Sequence, residues 1–250
     1  VMQCASGDAP DCLSAGQVDA LRKIYGGPNH TVTGEQIFPG YLRGTELSFF
    51  AEQPTATSAP SFPFPFQWVW GMNWDWRTFD FGTDVDVMRN TLNFAVDGTN
   101  PDLTAFQAHG GKIIFYQGLA DGIQVPGGIF DYVKSVESKM PGQSDRFIKL
   151  FTAPGMGHCG GGVGPNIFGN LRPGFPIYPA DPTRDLLAAL ENWVEKGRVP
   201  TQIIATKYAN NQPTGAVERT RPLCAWPKVA TYKGSGDIDS ANSFSCQDPS

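Results

Sequence analysis

The chain has 250 residues, of which 40% are hydrophobic and 17% charged, a globular composition that excludes a disordered chain and suits one large domain or two small ones. No apolar run reaches the roughly 18 residues of a membrane-spanning helix. A formal charge of −5 without a basic cluster argues against nucleic acid as a partner.

The chain opens on Val1-Met2-Gln3-Cys4, which has neither the basic region nor the apolar region of a signal peptide. It also does not read as a natural translation start, so the expectation is a processed or cut fragment of a longer protein. Residues 12–27 read as a helix, with Ser14 as N-cap, Val18, Leu21, Ile24 and Tyr25 as an apolar stripe, and Gly26-Gly27-Pro28 as its end. Residues 28–66 are rich in Pro, Gly, Ser and Thr and read as irregular loop. Within them, Asn29-His30-Thr31 is a glycosylation sequon, a short motif that also arises by chance. Residues 62–81 hold nine Phe and Trp residues, a density that must pack on something or receive a ligand.

From Gly110 the pattern becomes regular. Lys112–Tyr116 reads as a buried parallel strand. Ile129, Tyr132, Val133, Val136 and Met140 mark a helix over 128–140. Arg146–Ala153 alternates and reads as a second strand. Residues 182–196 read as a helix with Pro182 in its first turn, Leu186, Leu187, Leu190, Trp193 and Val194 on one face, and Gly197 as its stop. This order predicts an α/β fold, half of a doubly wound sheet.

In such sheets functional groups sit at the carboxyl ends of the strands. Gln117-Gly118-Leu119-Ala120-Asp121-Gly122 follows the first strand, and Pro154–Gly162, with His158, follows the second. In α/β-hydrolases the triad order along the chain is nucleophile, acid, histidine, and Asp121 followed by His158 fits the last two. The plainer alternatives are a His that caps a glycine-rich turn and an Asp that is simply common in turns. No G-x-S-x-G occurs. Ser6 has no strand–elbow–helix context, and Ser235 reads as part of a polar tail with no strand before it. The nucleophile is therefore expected upstream of residue 1. No metal site is read in this chain.

Five cysteines are present. Cys4 with Cys12, and Cys224 with Cys246, are local pairs at plausible loop spacings, which leaves Cys159 odd and in want of a partner elsewhere. The alternative is five reduced thiols in a cytosolic protein. The sequon favours secretion.

Cys4…Asp11-Cys12-Leu13-Ser14…Gly26-Gly27-Pro28, Trp74-Asp75-Trp76-Arg77-Thr78-Phe79-Asp80-Phe81, Asn100-Pro101-Asp102-Leu103, Pro154-Gly155-Met156-Gly157-His158-Cys159 and Arg219–Cys224 with Tyr232–Asp237 together resemble the tannase/feruloyl esterase family over nearly the whole chain. The resemblance implies the C-terminal half of an α/β-hydrolase domain over 96–250 and the C-terminal part of an inserted lid domain over 1–95. It implies Asp121 and His158 as triad acid and histidine. It implies local disulfides Cys4–Cys12 and Cys224–Cys246, and Cys159 bonded to a cysteine just before the nucleophilic serine on an N-terminal portion of the same protein. It implies no cofactor for catalysis and a structural calcium held by the upstream lid segment. The family pattern has His-Gly-Trp where this chain has Gln117-Gly118-Leu119.

The implied activity is two-step hydrolysis of a phenolic ester in a secreted enzyme. The aromatic stretch is the candidate substrate lid. Trp74-Asp75-Trp76 reads as structural, while Phe62, Phe64, Phe66, Trp68 and Trp70 are the candidates for substrate contact. The glycine-rich run after Cys159 and Asn166-Ile167-Phe168 look more like feruloyl esterases, which points to hydroxycinnamoyl esters of plant cell-wall material, with galloyl esters as runner-up. Two readings of other classes are a secreted carbohydrate-binding module, which requires evenly spaced short strands and no helices, and a degenerate hydrolase that only binds.

Overall fold

A computed structural model of the chain describes residues 3–5, 7, 9–46, 64–170 and 181–249. It divides into two compact units, one of Val1–Arg43 with Phe49–Asn100 and the other of Gly44–Ser48 with Pro101–Ser250.

In the first unit, the disulfide Cys4–Cys12 closes a short loop ahead of helix α1 (Ala15–Gly26). Ser14 Oγ accepts from the Gln17 amide at 3.3 Å, and Gln17 Oε1 accepts from the Ser14 amide at 2.9 Å. This reciprocal capping box fixes the helix start, three residues inside the expected one. Residues 28–43 are turns and irregular backbone with one isolated bridge, Asn29 to Gln36. Buried His30 organises them: its Nδ1 accepts from the Val32 and Thr33 amides, both at 3.2 Å. Helix α2 (Phe64–Trp70) begins inside the segment expected to be irregular. Proline is tolerated in a helix's first turn, where no backbone donor is needed, so Pro65 does not oppose it. Helix α3 (Thr83–Val96), which no sequence pattern announced, starts with Asp84 and Asp86 in its first turn, where acidic charge complements the helix dipole.

The second unit contains α4 (Thr104–Ala108), β1 (Ile113–Gly118), α5 (Gly127–Lys139), β2 (Ile148–Ala153), α6 (Leu186–Lys196), β3 (Gln202–Tyr208), β4 (Val217–Cys224), β5 (Val229–Tyr232) and β6 (Phe244–Gln247). Strands β1 and β2 pair in parallel from Ile113–Ile148 to Gly118–Ala153, connected through α5, which is the unit expected from the sequence. Strand β2 does not alternate. Ile148, Lys149, Leu150 and Phe151 are all buried, because α5 covers one face and α6 with β3 the other. Lys149 is accommodated by an ion pair with Asp145.

Downstream the architecture changes. β3 and β4 are antiparallel, as are β5 and β6. An isolated bridge joins Phe151 to Ala225, and the Trp226 amide donates to the Leu150 carbonyl at 2.8 Å. These contacts set the end of β4 beside β2, while the strands remain three two-stranded ladders, and Cys224–Cys246 ties β4 to β6. Helix α6 starts at Leu186 rather than at Pro182. Asp185 is the N-cap, its Oδ1 accepting from the Leu187 and Ala188 amides, both at 3.0 Å, and Gly197 closes the helix. Ser235 does follow a strand, β5, contrary to the expectation. What comes next is the antiparallel return to β6 and no helix, so no nucleophile elbow forms.

Candidate active site

β1 and β2 end side by side, at Gly118 and Ala153. The loops that leave them are joined by backbone hydrogen bonds: the Leu119 amide donates to the Ala153 carbonyl at 3.0 Å and the Ala120 amide to the Met156 carbonyl at 2.9 Å. Gly118 permits this approach. A Cβ there would lie 2.4 Å from the Gly157 carbonyl oxygen and 2.5 Å from that of Met156, inside any allowed contact. Gly162 performs the same service within the second loop, at φ +85°, where a Cβ would lie 2.1 Å from the Gly155 oxygen.

The juxtaposition brings Asp121 and His158 together, with Asp121 Oδ2 at 2.9 Å from His158 Nδ1. The Asp121 side chain is 3% exposed and that of His158 is 37% exposed. Burial of a carboxylate is costly unless its lone pairs are satisfied, and here they are. Oδ1 accepts from the Ile123 amide at 2.8 Å and the Gln124 amide at 2.9 Å, a turn closed by the Asp side chain itself. Oδ2 accepts from Gln117 Nε2 at 3.3 Å as well as meeting His158. An ionised carboxylate only accepts, so the His158 proton sits on Nδ1 and Nε2 keeps its lone pair. A buried carboxylate that holds one imidazole tautomer, with the other nitrogen able to take a proton, is an arrangement that can serve as a general base.

Cys159 follows in the left-handed region, at φ 57°. Asn170 Nδ2 donates to its carbonyl oxygen at 3.0 Å, a contact that supports this uncommon backbone conformation. Cys159 is exposed and forms no disulfide among the described residues, whereas Cys4–Cys12 and Cys224–Cys246 are bonded. Burial raises the Tyr116 phenol above its usual range, and the neighbouring Cys159 sulfur adds to the shift. Further along, Lys207 Nζ donates to the Gly162 carbonyl at 2.6 Å and also to Asn211. Tyr116, Gln117, Asn170 and Lys207 therefore belong to the surroundings of the pair, and none had been singled out from sequence. Gln117 was legible only as a departure from a pattern.

The aromatic candidates separate into two groups. Phe66 stacks on Trp74 at 5.0 Å between centroids and Trp70 on Trp74 at 5.3 Å, with Phe79 edge-on to all three. Phe66 and Trp70 are thus engaged with one another's neighbours inside the first unit. Phe64 and Trp68 stand 55% and 64% exposed on the same helix. Phe62 lies outside the described residues. Asp75 Oδ1 accepts from the Arg77 amide at 3.1 Å and so caps the turn that follows it, which makes Trp74-Asp75-Trp76 a folded structural element. Asn29 is exposed, as glycosylation requires.

Among the described residues no group of three or more His, Cys, Asp and Glu side chains could hold a metal ion. No helix among the described residues is long and apolar enough to cross a membrane.

Comparison with known proteins places the chain in a family. The model of the family described as tannase and feruloyl esterase matches residues 1–247. An uncharacterised esterase of Xanthomonas campestris pv. campestris is 33% identical over 280 aligned residues, which cover 99% of this chain and 48% of that protein. A probable feruloyl esterase B-2 of Aspergillus terreus is 32% identical, with 97% and 46% covered. Among solved structures, feruloyl esterase B from Aspergillus oryzae superposes with a TM-score of 0.87 at 26% identity, over 98% of this chain and 49% of that one. The chain spans about half the length of the curated relatives it matches.

Proposed function

The chain belongs to the tannase and feruloyl esterase family, and we propose that it supplies the acid–base half of a serine carboxylesterase that cleaves phenolic esters. The observation that carries this reading is the 2.9 Å contact between Asp121 and His158 at the ends of two adjacent parallel strands. The nucleophilic serine is contributed by an upstream part of the same protein. Two features support that: acid and histidine follow the nucleophile in α/β-hydrolases, and the curated relatives are about twice as long as the matched region.

In the proposed reaction His158 Nε2 takes the serine proton as the oxygen attacks the ester carbonyl, and then returns it to the departing alcohol. Asp121 holds the tautomer and stabilises the imidazolium. Water repeats the sequence on the acyl-enzyme and releases the acid. The acyl group in this reading is a hydroxycinnamate, as in feruloylated plant cell-wall sugars, a choice that the feruloyl esterase relatives and the glycine-rich run after Cys159 support. Galloyl esters are the competing acyl class. Phe64 and Trp68 are the lid aromatics left with exposed ring faces for such an acyl group. A carbohydrate-binding module is disfavoured by the parallel β1–α5–β2 unit.

Secretion, glycosylation at Asn29, a calcium-bearing upstream lid segment and a disulfide from Cys159 to the serine-bearing portion complete the proposal. Two bonded disulfides and an exposed odd cysteine support the oxidising compartment. The test is His158→Ala in the full-length protein, assayed on methyl ferulate and methyl gallate. Loss of hydrolysis by about 10⁴ is expected, and near wild-type turnover would remove His158 from the mechanism. Intact mass before and after reduction reads the Cys159 link, and a free thiol in the full-length protein would end that part of the proposal.

A further inference from the structure

We infer that Gln117 is the positioning residue of the acid loop, an amide staple that fixes Asp121 for its work on His158. This rests on the acid–base reading above and adds a residue that the reading does not require. Gln117 is part-buried at the end of β1. Its Nε2 faces three oxygens: the Gly118 carbonyl at 3.1 Å, Asp121 Oδ2 at 3.3 Å and the Gln124 carbonyl at 3.4 Å. All three only accept. The amide orientation is therefore unambiguous, because a flipped Oε1 would be repelled by each of them.

The three oxygens lie at the start, middle and end of the turn that carries Asp121. One side chain thus gathers residues 118 to 124 onto the penultimate position of β1. The Asp121 carboxylate is held from both sides. Backbone amides of Ile123 and Gln124 fix Oδ1, and Gln117 is the partner of Oδ2 besides His158 among the described residues. A carboxylate pinned at Oδ1 alone can still swing about its Cβ–Cγ bond, which moves Oδ2 away from Nδ1. The Gln117 contact opposes that swing. Groups that orient a catalytic side chain through a hydrogen bond act on turnover and leave substrate contacts alone. Lys207, the nearby cation of the His158 loop, is already engaged with Gly162 and Asn211.

The experiment uses the full-length protein with methyl ferulate and two near-isosteric variants. Gln117→Met keeps the bulk and removes the donor; Gln117→Glu puts acceptors against three acceptors. Q117M is expected to lower kcat about three- to tenfold, a part of the worth of a hydrogen bond to an ionised carboxylate that the amides on Oδ1 do not replace. Q117E is expected to lose about 100-fold or more, since a like charge is placed beside Asp121. KM should change less than about twofold in both, because no substrate contact is touched. The His158 Nδ1–H proton resonance should exchange with water faster in Q117M than in wild type. If Q117M fails to fold, Gln117→Ala replaces it with the same expectations. Folded variants with wild-type kcat and an unchanged Nδ1–H signal would overturn the inference. The same outcome together with an inactive His158→Ala would leave the acid–base reading intact, whereas an active His158→Ala would sink that reading itself.

Discussion

Asp121→Asn is the most discriminating substitution, because it changes charge and donor pattern while preserving shape. In the native site Oδ1 accepts from two backbone amides at 2.8 and 2.9 Å, and Oδ2 faces Gln117 Nε2 and His158 Nδ1. The asparagine oxygen must stay on the backbone side, since turning it away would set an NH₂ against two N–H donors. Its Nδ2 then faces His158 and Gln117. Facing Gln117 it sets donor against donor, which costs about 1–3 kcal/mol of stability as an unsatisfied buried contact. Facing His158 it donates, so the imidazole must accept at Nδ1 and carry its proton on Nε2. The nitrogen meant to receive the serine proton is then already protonated, and the imidazolium loses its carboxylate. The equivalent exchange in serine proteases costs about 10⁴ in kcat, which is about 5.5 kcal/mol at 1.36 kcal/mol per decade. Purified full-length D121N should therefore hydrolyse methyl ferulate about 10⁴-fold more slowly, with a circular dichroism spectrum like that of wild type. A folded D121N that keeps a tenth of wild-type kcat/KM would refute the assignment of Asp121 as the orienting acid.

Further expectations concern stability and processing. Asp185→Ala removes a buried N-cap that serves two amides of α6 and should cost about 1–2 kcal/mol, read as a lower denaturation midpoint at unchanged m-value. Phe151→Ala empties a fully buried site on β2 between the sheet and α6 and should cost about 3–5 kcal/mol in the same assay. Replacing Cys224 and Cys246 by serine opens a bridge of sequence separation 22; the chain-entropy relation gives a loss of about 3 kcal/mol. Asn29→Gln, expressed in a glycosylating host, should shift the intact mass by one glycan, and identical masses would show that the sequon is unused.

Legibility in the sequence followed burial. α5 and α6 were readable because each buries one stripe against a sheet, leaving Val133 and Val136, or Leu186, Ala189 and Trp193, at helical spacing. β1 was readable as a short apolar run; β2 was placed as a strand on an alternation that its burial on both faces does not follow. Errors arose where the same physics gives a weak pattern. α3 buries only Val85, so its periodicity is faint. β4 carries Glu218, Arg219 and Arg221 within one strand, and β5 and β6 have four residues each, held by pairing and a disulfide more than by apolar alternation. The start of α6 was misplaced because Asp181 and Asp185 both close turns through their own side chains, and only the second opens the helix. Asp121 and His158 were found through chain order and the ends of strands, which are topological rules. Gln117 has no such rule: an amide acquires meaning only when three oxygens are placed around it.

The described contacts of the acid–base pair have a common origin. The groups seen to fix Asp121 come from residues 117 to 124, those that shape the His158 loop from residues 153 to 170 and from Lys207, and all of them belong to the second unit. Nothing in this set calls on the segment that would bear the serine. In the proposed enzyme, then, that segment need deliver only a nucleophile and donors for the oxyanion, against a base whose tautomer is already chosen. Catalysis by positioning gains from such preorganisation, because groups set before the substrate arrives need not be reorganised during the reaction. A covalent link from Cys159, the residue next to that base, would act at the one point where the two parts must be held in register. It would spend its constraint on the His158-to-serine distance, the geometry that this half of the protein cannot fix alone.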